Sequence, residues 1–340
     1  MAAAVETMAW TGKEPWHGEG VKVNPDLTPE EMMIAAELDW TVSKRPGYTI
    51  DTPTYGEDSG LVQTPDTYHI VRDSDNKILS SCGPVYTPTQ NSQIFDFFSR
   101  FADAANFTME TAGSLRGGKS IWALAKVPLG FEFAGGDESQ GYLLFHQPHE
   151  AGYALTARYT VIRVVCANTL QMAFKNGPAN FRMTHIHEFD TSMAEEAAKV
   201  LGLSEEVHAT FKEAGEFLSK KKAKHSEVLE FVTQIYQPTV LEDYRKDREL
   251  RAAGKKVGEE TPLIEEFTRY PKLVVEALEK APGARLKSAE GTWWGALNAV
   301  TYVEDHLRSG ENAVYNSLLG GGSKRKSQAL DLALEYAKAA

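Results

Sequence analysis

Only two of the 340 residues are cysteine, Cys82 and Cys166, and no C-x-x-C pair occurs. That scarcity argues against a disulfide framework and against a zinc knuckle, and it fits a reducing compartment with both thiols in the core. No run of eighteen apolar residues exists, so no transmembrane helix is expected. The opening stretch, MAAAVETMAWTGKEP, lacks a basic start and a long apolar region, so a secretory signal is not expected. There is no Walker A sequence, no G-x-G-x-x-G after a strand and no G-x-S-x-G elbow. Positive charge is also short: the net charge is −11, which argues against bulk duplex binding. The deficit is uneven. Residues 1–111 carry −10 and residues 188–340 carry −4, whereas residues 112–187, with seven Lys and Arg against four Asp and Glu, carry +3.

With 42% hydrophobic and 10% aromatic residues, the chain can build real cores. Its organising stretch is YALTARYTVIRVVCANTLQMAFKN, Tyr153–Asn176. Alternation over Tyr153–Ala157 and the β-branched run Thr160-Val161-Ile162 predict a strand. The spacing of Val165, Thr169, Met172 and Ala173 then predicts a helix, stopped by Asn176-Gly177-Pro178. Upstream, Thr28-Pro29-Glu30-Glu31 predicts a capped helix start and Asp39–Lys44 a strand ended by Pro46-Gly47. Residues 51–66 are polar and turn-rich and read as a loop. Hairpins are predicted around Asp73–Asn76, around SLRGGKS at 114–120, and around HQPHEAG at 146–152. Pro88–Asn91 opens a helix with Ile94, Phe95, Phe98 and Phe101 on one face. After Asp190 every segment has helical period, with a flexible basic loop, GGGSKRK, before the last helix. The expected fold is α+β: an antiparallel meander sheet with crossing helices over 1–190, followed by an all-α region over 191–340.

Chemistry is harder to locate. SLRGGKS ends like a phosphate loop, but it lacks the upstream glycine and leads to a strand, so no cradle with a helix dipole can form. His146, His149, His185 and His187 are candidate metal ligands, with His185 and His187 on one face of a strand. Against them stands the plain reading of surface-loop histidines. Arg158 and Arg163 sit among apolar residues and need either an internal carboxylate or an external anion. The middle segment interleaves cations with rings, the combination used for single strands. Arg116, Lys119, Arg158 and Arg163 are the candidate phosphate contacts, and Trp122 and Tyr159 the candidate stacking platforms. Lys324, Arg325 and Lys326 would extend the basic surface, whereas Lys220, Lys221, Lys222 and Lys224 read as a solvated helix face.

Several stretches carry a resemblance: PWHGEG at 15–20, LDWTVSKRP at 38–46, TPTQNSQIFDF at 87–97, ETAGSLRGGKSIWALAKV at 110–127, RVVCANTL at 163–170 and GTWWGALNAVTYVEDH at 291–306. Spaced over nearly the whole chain, they resemble the phage/plasmid-like protein family carrying a domain of unknown function. The resemblance implies a gene on phages, prophages or plasmids and a protein in the host cytoplasm. It supplies no catalytic residue and no cofactor. In outline the expected front half looks like single-strand annealing proteins, a likeness of fold alone. The expectation is a DNA-metabolism protein that binds and anneals single-stranded DNA as a homo-oligomer, with neither nucleotide nor metal. The alternatives are a module that binds a host protein and a metal-dependent hydrolase using the histidines.

Overall fold

The computed structural model describes residues 5–12, 19–50, 60–105, 107–133, 135–163, 168–170, 180–185, 204–255, 261–310 and 312–339. It is a mixed α and β structure with mostly antiparallel strands. The strands are β1 (Val5–Trp10), β2 (Val21–Lys22), β3 (Val42–Ile50), β4 (Leu61–Arg72), β5 (Lys77–Cys82), β6 (Thr108–Leu115), β7 (Ser120–Phe133), β8 (Asp137–Pro148), β9 (Leu155–Arg163), β10 (Asn168–Leu170) and β11 (Asn180–Met183). One sheet has the order β10-β9-β8-β7-β6-β1-β2, with β11 also on β9, and a second has the order β3-β4-β5. Two compact units are present. The first comprises 1–128, 142–159 and 176–204, and the second comprises 129–141, 160–175 and 205–340. The boundary expected near residue 190 falls outside the described residues.

In the first unit, helix α1 (Pro29–Ala35) begins as its sequence predicts. Glu31 N donates to Thr28 Oγ1 at 3.2 Å, and Thr28 N donates back to the Glu31 carboxylate at 2.8 Å. Helix α2 (Asn91–Ala105) buries Phe97 and Phe98 against Phe145 of β8, at ring distances of 5.3 and 5.9 Å. Under the smaller sheet, Val42, Ile70, Leu79, Cys82 and Tyr86 form a core. The strand expected to stop at Pro46-Gly47 instead runs through them as β3. It lies at the sheet edge, where a missing proline N–H costs nothing, and a register shift between Pro46 and Tyr48 absorbs the glycine. The loop expected over 51–66 is also corrected: Leu61–Asp66 belong to β4, while 51–59 lie outside the described residues.

In the second unit the helices are α3 (Ser204–Lys220), α4 (His225–Tyr236), α5 (Pro238–Ala252), α6 (Arg269–Lys280), α7 (Trp293–Tyr302), α8 (Ala313–Leu318) and α9 (Gly321–Ala339), with a π-helical turn at Val303–Leu307. Phe131 and Phe133 pack with Phe211 and Trp294. The helix expected after residue 165 is overturned where it is described. Asn168–Leu170 form a strand whose Thr169 pairs with Ile162. Backbone pairing with β9 outweighs a short helical period. Val165, Met172 and Ala173 lie outside the described residues. The flexible GGGSKRK loop is overturned too, since α9 starts at Gly321. Arg325 and Lys326 are drawn inward by carboxylates of the π-helical turn: Lys326 Nζ meets Asp305 at 2.5 Å, and Arg325 meets Glu304 at 3.0 Å. Tertiary pairing, rather than the intrinsic propensity of three glycines, makes that helix end.

A buried polar cluster of this unit is built on Asp137, which is fully buried. Its carboxylate accepts from Arg163 Nε at 2.6 Å and Nη2 at 2.8 Å, from Ser288 Oγ at 2.5 Å and from Trp294 Nε1 at 3.0 Å. Four donors on two oxygens satisfy the acid, and the bidentate fork satisfies the arginine. We expect Asp137→Ala to lower stability by about 3–5 kcal/mol, because a buried guanidinium loses its counter-charge. Adding Arg163→Met should recover much of that loss. Urea titration of both variants checks this; equal stability of the single and double variants would refute it.

Candidate functional site

The turn between β6 and β7 is held by three successive residues with positive φ: Arg116 at +55°, Gly117 at +70° and Gly118 at +87°. The two glycines matter for space as well as for conformation. A Cβ on Gly117 would strike the Lys77 side chain, and one on Gly118 would lie 2.9 Å from Arg72 Nη1. The turn therefore gathers Arg72 and Lys77 from β4 and β5 beside its own Arg116 and Lys119. Glu6 accepts from Arg72 Nη1 and Nη2, both at 3.0 Å, and Asp75 accepts from Arg72 Nη2 at 2.7 Å. Lys77 Nζ stands 3.8 Å from Glu6. Arg116 pairs with Glu150. Lys119 makes no ion pair among the described residues. Burial pushes the Glu6 carboxyl up, but hydrogen bonds from Arg72 and Ser114, with Lys77 nearby, outweigh it and hold Glu6 low. The Arg72 bond likewise brings Asp75 to about 2.

Behind this turn lie three histidines that the sequence offered as candidate metal ligands, against the plain reading of surface-loop residues. All are buried, with exposures of 5% for His146, 0% for His149 and 4% for His185. Gly141–Pro148 of β8 is covered on both faces, so alternation gives no exposed side for them. His146 Nε2 lies 2.7 Å from Ser120 Oγ, His149 Nε2 lies 2.8 Å from Asn91 Oδ1, and the His185 ring stacks on Tyr86 at 4.8 Å. Burial drives His146 down to about 3, helped by the fields of Arg158 and Arg116. Burial, with His185 and Arg72, does the same for His149, also to about 3. Burial brings His185 to about 4, opposed by a bond to the Thr87 backbone. The three are neutral at pH 7. His187 lies outside the described residues. Among those described, no three His, Cys, Asp or Glu side chains are set to share a metal ion.

The six residues chosen as nucleic-acid contacts separate sharply. Arg116 and Lys119 stand on the cationic turn, and Arg158 is half-buried within the reach of His146. Trp122 is only 2% exposed, its ring laid across Gly113 of the neighbouring strand. Tyr159 is 7% exposed, and burial raises its phenol well above the usual range. Neither ring offers a face for a base to stack on, which corrects both assignments. Arg163 belongs to the second unit and is committed to Asp137, so it is a structural cation. The sequence did not single out Arg72 and Lys77, which come to the turn across strands. The only local signal for them is the glycine pair, which leaves room for other side chains.

Burying neutral histidines makes the first unit acid-labile. Each binds its proton more weakly folded than unfolded, where the ordinary value is about 6.5. Stability is then full above pH 6.5 and falls as the pH drops toward the folded values, by about 1.4 kcal/mol per pH unit for each histidine. We expect urea-measured stability to fall steeply between about pH 6 and 4.5, and His149→Gln to flatten the slope by about a third. An unchanged slope in the variant would remove the histidines as the cause.

A family model described as a domain of unknown function, DUF932, matches residues 78–338, which take in Arg116, Lys119 and the buried histidines but not Arg72 and Lys77. No curated protein and no solved structure matches the chain. Because the match takes in most of its length, from β5 into α9, the chain belongs to the DUF932 family.

Proposed function

We propose that this protein binds single-stranded DNA through the cations around the β6–β7 turn, and that it acts in DNA metabolism on the phages or plasmids that the resemblance implies, annealing strands as an oligomer. The observation that carries the reading is the meeting of Arg72, Lys77, Arg116 and Lys119 at one glycine turn, in a chain that is otherwise acidic. Phosphates need cations and no base code, and annealing requires no nucleotide hydrolysis. Arg158 adds charge from β9. With Trp122 and Tyr159 buried, binding rests on phosphate contacts and carries little base preference.

The test is the salt dependence of binding to a fluorescent oligonucleotide. Each of Lys77→Ala and Lys119→Ala should reduce the slope of log K against log salt by about 0.7. Absence of binding at low salt, or an unchanged slope in both variants, would end the reading.

A specific feature supports the second reading, docking on another protein. Before Tyr68, β4 has no pairing with β5, so Tyr48–Ile50 and Leu61–Gln63 form a two-stranded arm. Tyr48, Ile50, Leu61 and Val62 are exposed on it, Leu61 at 74%. Such an arm is marginal in water without cover. Ile50→Asp with Leu61→Asp should abolish stoichiometric capture of a protein partner while leaving DNA binding intact; loss of DNA binding instead would reject the docking role.

A further inference from the structure

In the second unit, the stretch GTWWGALNAVTYVEDH ends in the π-helical turn, and its Glu304 is a meeting point for cations. Glu304 is 1% exposed. Its Oε1 accepts from the Tyr236 hydroxyl at 2.7 Å and from Arg308 Nη2 at 2.9 Å. Its Oε2 faces Arg308 Nε at 2.8 Å and accepts from Arg325 Nη2 at 3.0 Å. Two guanidinium groups therefore share one carboxylate, and both of its oxygens are fully used. A third arginine stands close by. The Tyr270 ring has Arg308 3.9 Å from its centroid and Arg269 5.6 Å from it. Among the described residues Arg308 and Arg325 pair with no acid except Glu304, and Arg269 pairs with none.

The charges do not balance. Three guanidinium charges less one carboxylate charge leave a surplus of two. The neighbouring Lys326 and Asp305 cancel each other and supply nothing. Solvent relieves only part of the surplus, because the side chains of Arg308 and Arg325 are 21% and 28% exposed. Donors are in excess as well. Glu304 takes only Nη2 of Arg325, whose Nε is buried with no hydrogen-bond partner among the described residues. Gly321 leaves the room for this guanidinium, since a Cβ there would lie 3.5 Å from Arg325 Nη1. The helices that deliver Arg269 and Arg325, α6 and α9, carry no acid in their first turns, where one would be favoured. The arginines, not the helix ends, set the site.

We propose that Arg308 and Arg325, with Arg269 at the rim, bind a phosphate dianion, either free or as a phosphate monoester. A metal cation would be repelled, and a carboxylate carries only one charge. A phosphate monoester carries close to two charges at neutral pH, and its oxygens can accept from more than one planar fork at once. The site uses none of the residues of the DNA reading.

The experiment is calorimetric titration of the full chain with inorganic phosphate, and separately with a nucleoside 5′-monophosphate, alongside thermal unfolding in each. Potassium chloride of equal ionic strength is the control. We expect saturable binding of one anion and a Tm raised above that in chloride. Arg308→Lys and Arg325→Lys keep a charge against Glu304 but lose the fork, and each should weaken binding by about tenfold or more. Arg269→Ala, an exposed change, should weaken it by about two- to fivefold. Lys338→Ala removes a charge from the other end of α9 and should bind as wild type does. Tighter binding of the mononucleotide assigns the phosphate to a nucleotide; equal or weaker binding assigns free phosphate. A wild-type chain that binds neither anion, or gains no more Tm from them than from chloride, overturns the proposal. So does an equal loss in Lys338→Ala.

Discussion

Charge cannot be buried unless it is neutralised or paired, and that constraint sorts the ionisable groups of this protein into their roles. Arg163 and Lys326 lie inside and are each held against a carboxylate, Asp137 and Asp305. His146, His149 and His185 are buried without acids and so remain neutral. What is left over is informative. The four cations of the β6–β7 turn meet three acids: Arg72 bonds both Glu6 and Asp75, Lys77 stands beside Glu6, Arg116 pairs with Glu150, and Lys119 has no ion pair among the described residues. A surplus of positive charge at a strained turn is what an anionic polymer could complete.

The same constraint separates the two kinds of unsatisfied group. Lys119 stands half-exposed, where water offsets most of its isolation, so it costs little and can exchange water for phosphate. His149 Nδ1 and Gln147 Oε1 have no such recourse. Both are buried with no hydrogen-bond partner among the described residues.

How far the sequence disclosed this follows from the range of each interaction. Turns and caps are local, and Asp73–Asn76, Gly117-Gly118 and Thr28–Glu31 were readable because a few adjacent residues decide them. Partners are not local. Asp137 lies 26 residues from Arg163 and 157 from Trp294, so no window along the chain could tell an internal arginine from a phosphate contact. The rings misled for a related reason. Tyr159 stands between Arg158 and Thr160 as an exposed platform would, and Trp122 stands three residues from Lys119, yet both strands are covered on both faces at these positions. Helical period misled where pairing prevailed, at Thr169, and glycine misled where buried acids recruited Arg325 and Lys326.

The turn and the histidines are also coupled, which bears on how a ligand at one would be felt at the other. His149 N donates to the Lys119 carbonyl at 2.9 Å, Ser80 Oγ donates to the His149 carbonyl at 2.9 Å, and the fields of Arg116 and Arg158 reach His146. A phosphate beside Arg116 or Arg158 would neutralise the charge that depresses His146 and so ease its protonation. By linkage, protonating His146 would then favour anion binding by the same factor. Burial, the larger cause of the depression, is untouched by the anion, so the coupling is a fraction of the whole shift. A strand end that is cationic outside and imidazole-lined inside thus binds its surface charge to its interior protons, and acid would act on both together.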